Sequence, residues 1–445
     1  MGSVIVAAAT PWGRSALSVV RLSGQDLDTV LKTFVRPHRG WPVPANRMVR
    51  VDVLDEEGVF DDGLMWVAAG SRSFTGEPTA EISLHGNPRI VERVLDAAIR
   101  GGAHLARPGE FSRRAVLSGK LDLIQAEAVL QVAAASTDRG LAVARAGLDG
   151  RLSAVVADLR AALLSIASSL EAMVDHPEAD LEVDGQPSLL ADLAAVEDRA
   201  VALAGDERRG RAWVHGVRVA LVGAVNAGKS SLFNAILGER RALVHDQPGT
   251  TRDVVEGRAM FDGLAVTLLD TAGERPTADA VELAGQALAR EQIGSVDAVL
   301  IVWRARPEGP SSVELELLER LAHVPHLIVY NGVDCAGAAL GPAGSLPTVA
   351  LTGQGVAAIA PALKRILALE ETMEAAPMLA SARQRDRLLS VARLIGEARS
   401  ALPEAGPAVG VELVIEAIEE VDSLRGTTAR EEVLDALFSR FCIGK

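Results

Sequence analysis

Cysteine is nearly absent: Cys335 and Cys442 are the only two in 445 residues. A disulfide framework is excluded, and a reducing cytoplasm is the expected location. An excess of positive charge is also missing, because 45 Lys and Arg against 59 Asp and Glu leave a net −14. Uniform affinity for nucleic acid, which depends on neutralising phosphates, is not expected. The short basic runs Arg208-Arg209-Gly210-Arg211 and Arg240-Arg241 read as solvated surface. No uncharged apolar run reaches membrane-spanning length. The opening residues, Met1 to Val6, have neither a basic n-region nor a long apolar core, and Val6 spoils an N-myristoylation match. Gly444 and Lys445 spoil the prenylation pattern that Cys442 would open, so neither a leader nor a membrane anchor is expected. Internal repeats are absent, and no tract is of low complexity beyond an alanine richness.

The chain is long and apolar enough for several cores: 445 residues, 49% hydrophobic, imply two to four domains. Its most specific stretch is Gly223-Ala224-Val225-Asn226-Ala227-Gly228-Lys229-Ser230, which fits the phosphate-loop pattern G-x-x-x-x-G-K-S/T. The apolar run from Val217 to Val222 predicts a buried strand before it, and Ser231 to Leu237 predicts the first turns of a helix after it. In that setting the glycines let backbone N–H groups face one phosphate cluster, and the helix N-terminus adds positive potential. Lys229 reaches the outer phosphates, the Ser230 hydroxyl takes a place on Mg²⁺, and Ala227, Gly228 and Ser231 complete the cradle.

Further nucleotide elements follow in order. Pro248-Gly249-Thr250-Thr251-Arg252-Asp253 places two threonines in a loop after the first helix. Asp270-Thr271-Ala272-Gly273 ends the apolar run Leu264 to Leu269, a second predicted strand. Asp270 suits a carboxylate that holds Mg²⁺ through water, and Gly273 is free to turn toward a terminal phosphate. Ala298 to Val302 and His326 to Tyr330 predict two more strands, the latter leading into Asn331-Gly332-Val333-Asp334. Strands alternating with helical patterns predict a doubly wound parallel sheet, and the motif order predicts a GTPase of the translation-factor class.

The expected organisation is multidomain α/β with four segments. Residues 1–118 form an α+β module, with strands at Ser18 to Leu22, Met48 to Val53 and Leu64 to Ala68. Its helix from Pro88 to Ile99 has Asn87 placed as cap. Residues 119–215 are the first part of an α-helical bundle, with apolar positions Leu148, Leu152, Val155, Val156, Leu159 and Leu163 at helical spacing. A further helical pattern runs from after Pro187 to about Ala204. Residues 216–372 are an inserted P-loop domain. Residues 373–445 return to helix, with apolar faces at Leu388, Leu389, Val391, Ala392, Leu394 and Ile395, and at Val414, Ile415, Ile418 and Val421.

Four separated signatures point to one family. They are Ala9-Thr10-Pro11 with Arg21-Leu22-Ser23-Gly24; Ser73-Phe74-Thr75-Gly76-Glu77 with Glu81 and His85-Gly86; Arg107-Pro108-Gly109-Glu110-Phe111-Ser112 with Lys120 to Glu127; and the terminal Phe441-Cys442-Ile443-Gly444-Lys445. With the phosphate loop, they make the chain resemble the MnmE/TrmE tRNA-modification GTPases along nearly its whole length. The resemblance implies an N-terminal folate-binding and dimerising domain. It also implies an enzyme that hydrolyses GTP to GDP and phosphate while adding a carboxymethylaminomethyl-type group at carbon 5 of wobble uridine in certain tRNAs. The implied partners are tRNA and an FAD protein of the MnmG/GidA type, the implied assembly a homodimer and a heterotetramer with that partner, and the implied one-carbon donor a 5-formyl- or methylene-tetrahydrofolate derivative. Arg21, Glu81, Lys120 and Lys445 match family folate contacts, and Cys442 lies in the tail. Asn226 matches a potassium ligand, completed by the loop with His245, Gln247 and Thr250. Ser230 and Thr251 match the Mg²⁺ ligands. Glu282, with Lys229, matches the catalytic set, Glu282 orienting water where no glutamine follows Gly273.

Two departures stand out. GTPases usually carry Asn-Lys-x-Asp where this chain has Asn331-Gly332-Val333-Asp334, and the later Ser-Ala element reads Val349-Ala350. Asp334 still presents a carboxylate to the guanine N–H pair, but the lysine stem along the base is lost, at a combined cost of about 1–2 kcal/mol of affinity. Two alternatives remain at this stage: a ribosome-assembly GTPase, and a non-catalytic folate-binding scaffold.

Overall fold

The computed structural model describes residues 3–175, 181–240, 255–270, 296–335, 341–369, 378–427 and 431–444. The chain divides into two compact units. One comprises Met1–Leu130, Ser153–Ala200 and Arg387–Lys445, the other Gln131–Leu152 and Val201–Asp386. Residues 131–152 and 201–215 of the predicted helical stretch therefore group with the sheet of the second unit.

The first unit holds β1 (Ile5–Ala8), β2 (Leu17–Ser23), β3 (Val35–Pro37), β4 (Met48–Asp55), β5 (Gly58–Ala68), β6 (Thr79–His85) and β7 (His104–Leu105). They order as β3-β4-β5-β6-β2-β1-β7, antiparallel throughout except for the parallel pair β1–β7. Alternation along β2 buries Ser18, Val20 and Leu22. That face meets the helices Leu27–Phe34 and Pro88–Arg100 through Leu27, Val30, Leu31, Phe34, Val91 and Val94. Asn87 Oδ1 accepts the Arg89 N–H at 2.9 Å, the cap that the sequence predicts, with Pro88 in the first turn.

Long helices lie mostly in this unit: Arg151–Asp175, Leu181–Gly205, Ala382–Ala405 and Pro407–Arg425, of which residues 151–152, 201–205 and 382–386 group with the second unit. Leu148 belongs to a separate helix, Asp138–Leu148, because Gly150 takes φ +81° and ends the run. The second helix starts at Leu181, so Pro187 lies inside it, not ahead of it. Leu388, Val391 and Ile395 are buried, but Leu389 is 45% exposed, and Ile415 is 41% exposed beside buried Val414. One residue is 100° of helical rotation, enough to carry an apolar neighbour out of the buried stripe.

Arg151–Asp175 is long and apolar enough to cross a membrane by length and composition. In this fold it is a bundle helix: Leu152, Val156, Leu159, Leu163 and Leu170 are buried, and Arg160 Nε and Nη2 donate to Asp422 Oδ1 and Oδ2 at 2.7 and 2.8 Å.

The second unit holds β8 (Val217–Val222), β9 (Val255–Phe261), β10 (Leu264–Asp270), β11 (Ala298–Arg304), β12 (His326–Asn331) and β13 (Leu346–Thr348), ordered β13-β12-β11-β8-β10-β9. All neighbours are parallel except β9, which pairs antiparallel with β10. The sheet is thus parallel with one antiparallel edge. The cause is the two-residue turn Asp262-Gly263, both at positive φ, which folds β9 and β10 into a hairpin. The central strands β8 and β11 are almost continuously buried, as parallel strands covered on both faces must be. The basic run is spoken for in part: Arg211 pairs with Asp297 at 2.6 Å and Arg209 with Asp206 at 3.4 Å.

The Arg160–Asp422 fork makes a pH prediction. Its hydrogen bonds hold the Asp422 carboxyl below the ordinary range, against the opposing effect of burial. A depressed carboxylate contributes stability that is full above its unfolded value near 4 and lost as pH falls through the folded value. Asp422→Asn is expected to cost about 1–2 kcal/mol at neutral pH, reduced by solvent around Arg160. Melting curves from about pH 7 to pH 3 should show the wild-type advantage shrinking on acidification; an advantage that grows would contradict the assignment.

Candidate functional site

The ends of the parallel strands converge on the loop after β8. Gly223 follows Val222, and a Cβ there would run into the Val302 carbonyl of β11. Gly228 sits at φ +93°, where a side chain is strained and would also strike the Asn331 amide. These two contacts give the first and last glycines of the pattern a steric reason. The helix Lys229–Arg240 begins directly after them, so its first N–H groups open into the loop.

Lys229 Nζ donates to the Gly223 and Ala224 carbonyls, both at 2.9 Å, so the ammonium lies across the mouth of the loop. Burial pushes its pKa down, and the nearby Asp270 charge pushes it back up. Parallel pairing sets Asp270 level with Leu221, and Ser230 Oγ donates to Asp270 Oδ2 at 3.1 Å. Asp270 is buried. A hydroxyl and a carboxylate brought together beside a phosphate loop form a hard-oxygen donor set, which suits Mg²⁺.

Asn331, at the end of β12, braces the loop from behind. Its Nδ2 donates to the Ala227 carbonyl at 3.2 Å, while its Oδ1 accepts from Ala350 N at 3.0 Å and Thr348 Oγ1 at 3.3 Å. Asn226 takes φ +59°, and its carbonyl accepts from Arg304 Nη1 at 3.3 Å. Asp334 lies exposed just beyond, after Gly332 at φ +82°. Sequence reasoning missed Arg304, whose signal is its place at the end of β11, level with Asn331.

The first unit holds a second cluster. Arg21 and Glu81 face each other across β2 and β6, and Arg21 Nε donates to Glu81 Oε1 at 2.7 Å. The same guanidinium lies 5.6 Å from the Phe111 ring centroid and donates through Nη1 to the Gly444 carbonyl at 3.0 Å. The tail is therefore docked. Phe441 is buried, its ring 5.0 Å from that of Phe438, and the Cys442 carbonyl accepts from Gly109 N at 3.5 Å. Cys442 is itself exposed. Lys120 Nζ donates to the Ser71 carbonyl.

Among the predicted site residues, Asn226, Ala227, Gly228, Lys229, Ser230, Asp270 and Asn331 come together at the loop; Arg21 and Glu81 come together under the tail. His245, Gln247, Thr250, Thr251, Thr271, Ala272, Gly273, Glu282 and Lys445 lie outside the described residues.

Known proteins match this chain along nearly its whole length. The profile for the MnmE helical domain matches residues 123–442, and that for the GTP-binding protein TrmE N-terminus matches residues 4–120. The tRNA modification GTPase MnmE of Nitratidesulfovibrio vulgaris (strain DP4) is 37% identical, over 99% of both chains. That of Symbiobacterium thermophilum is 38% identical over the full length of both, and that of Synechococcus sp. (strain CC9605) 38% over 99% of this chain and 98% of its own.

The Asn331 bonds make a prediction independent of any ligand. Asn331→Ala strands the buried Ala350 N–H and the Ala227 carbonyl, and should destabilise the protein by about 2–3 kcal/mol. Asn331→Asp keeps both acceptor contacts but turns an oxygen toward the Ala227 carbonyl, and should not recover that loss. Urea unfolding measures both; an Asn331→Asp variant as stable as wild type would remove the bracing role.

Proposed function

The chain belongs to the MnmE family of tRNA modification GTPases, and on that premise we propose that its GTP hydrolysis serves modification of wobble uridines in certain tRNAs. The group added at carbon 5 is of carboxymethylaminomethyl type. A tetrahydrofolate derivative, 5-formyl or methylene, supplies the one-carbon unit, and a flavoprotein of the MnmG/GidA type is the partner. The protein works in the cytoplasm as a homodimer joined through its N-terminal module, and as a heterotetramer with that partner.

The roles follow from the chemistry of each group. The loop amides and Lys229 receive the phosphates, and low exposure of the Lys229 ammonium strengthens its attraction to them. Ser230 and Thr251 would hold Mg²⁺ directly and Asp270 would hold it through water; the ion when bound neutralises charge on the phosphoryl oxygens. Asn226, with His245, Gln247 and Thr250, would hold K⁺ against the same oxygens. Glu282 orients the water that attacks the γ-phosphorus as the β–γ bridge breaks. Asp334 accepts the guanine N–H pair. In the first unit, Arg21, Glu81, Lys120 and Lys445 offer the charges and acceptors that a folate's anionic tail and pterin amino edge require.

The observation that carries this reading is the docked tail. Phe441 is buried and the Gly444 carbonyl accepts from Arg21 Nη1 at 3.0 Å, so the segment from Phe441 to Gly444 is held against the Arg21–Glu81 pair. A ribosome-assembly role has no observation in its favour, since the relatives that match along the whole chain are tRNA modification GTPases.

Two measurements test the proposal. GTP hydrolysis is expected to run several-fold faster in K⁺ than in Na⁺ at equal ionic strength and fixed Mg²⁺; equal rates would remove the potassium site. Deleting the last four residues should leave hydrolysis near the wild-type rate and abolish the modified wobble nucleoside. Mass spectrometry of tRNA from a deletion strain complemented with the truncated chain reads this directly, and a wild-type nucleoside level would sink the tail's role.

A further inference from the structure

The guanine-binding element has lost a cation, and the fold supplies another. Gly332 stands where GTPases carry lysine, and its φ of +82° penalises any side chain there. Strands β11 and β12 are parallel and set Arg304 level with Asn331. From these adjacent positions two side chains reach the phosphate loop. Arg304 Nη1 donates to the Asn226 carbonyl at 3.3 Å, and Asn331 Nδ2 donates to the carbonyl of the next residue, Ala227, at 3.2 Å. Two successive loop carbonyls are thus held by neighbouring strand ends.

The root of Arg304 is fixed. Its N–H donates at 3.2 Å to Glu314 Oε1, a carboxylate with no exposure. The other oxygen, Glu314 Oε2, accepts from Ser311 N at 2.7 Å, Ser311 Oγ at 2.9 Å and Arg306 Nη1 at 3.0 Å. Ser311 and Glu314 form the capping box of the helix Ser312–Leu321, so the segment leaving β11 is pinned to that helix by a buried charge. The Arg304 side chain itself is exposed. A guanidinium carries several N–H donors in a rigid plane, so one can hold the Asn226 carbonyl while others remain accessible to nucleotide oxygens.

We propose that Arg304 is a positioning residue for the guanine nucleotide, delivering from β11 the cation that residue 332 no longer provides. It sets the loop through the left-handed Asn226 and adds positive charge beside the phosphates. The inference rests on the reading of Gly223 to Ser230 as the GTP site.

The test titrates fluorescent GDP and GTP analogues into the full-length protein with Mg²⁺. Arg304→Ala is expected to weaken both nucleotides alike by about tenfold. In turnover, KM should rise by a similar factor with kcat within about twofold, the pattern of lost uniform binding. Arg304→Lys, which keeps a donating cation at the strand end, should recover most of the loss. If Arg304→Ala melts markedly below wild type, Arg304→Gln takes its place, and the same tenfold loss is expected. Wild-type affinity in these variants, or Arg304→Lys as weak as Arg304→Ala, overturns the proposal. Failure of the wild-type protein itself to bind GDP overturns the GTP-site reading instead.

Discussion

The amide of Asn331 is the constraint on which the nucleotide site depends. It ties the end of β12 to two pieces of chain: the phosphate loop at Ala227, about a hundred residues earlier, and the segment from the end of β13 at Thr348 to Ala350. A buried amide in this position must satisfy both its ends, and the fold meets the demand by bringing the loop and the β13 end to it. Gly228 follows from the same contact, since a side chain there would occupy the space of the amide. Once the loop is held, parallel register does the rest. Asp270 on β10 falls level with Leu221 of β8, beside Ser230, and Arg304 on β11 falls level with Asn331.

Much of this was legible in the sequence, for reasons that can be named. The phosphate loop announces itself because backbone geometry requires glycine at fixed places and chemistry requires Lys229 and Ser230 after them. The strands β8, β10, β11 and β12 were legible because parallel strands buried on both faces are written as unbroken apolar runs. The cap at Asn87 was legible because its chemistry is local. The edge strand β9 was not, since Val255–Phe261 contains Glu256, Gly257 and Arg258 and has no continuous apolar run. The break at Gly150 was hidden by apolar residues that keep helical spacing on both sides of it. Arg304 was invisible for a different reason. An arginine at a strand end carries no signal until the register shows what stands beside it.

The first unit follows a different logic. Its sheet is antiparallel, with one face covered by two helices, and its cluster of charge sits where β2 and β6 pair. The tail reaches this cluster through packing first and polarity second: Phe441 joins Phe438, Leu434 and Leu123 in a small apolar core, and only then does the Gly444 carbonyl meet Arg21. The resemblance grouped Arg21 with Lys445 as folate contacts, whereas the bond from Arg21 to the Gly444 carbonyl could be read only from the fold.

The central claim is that the site braced by Asn331 selects guanine although Gly332 stands where GTPases usually carry lysine. Calorimetric titration of GDP and ADP into the full-length protein with Mg²⁺ tests it most directly. A site that presents Asp334 to an N–H pair should bind GDP at least a hundredfold more tightly than ADP, since adenine leaves that carboxylate unpaired. Equal affinities, or no binding of either nucleotide, would contradict the account.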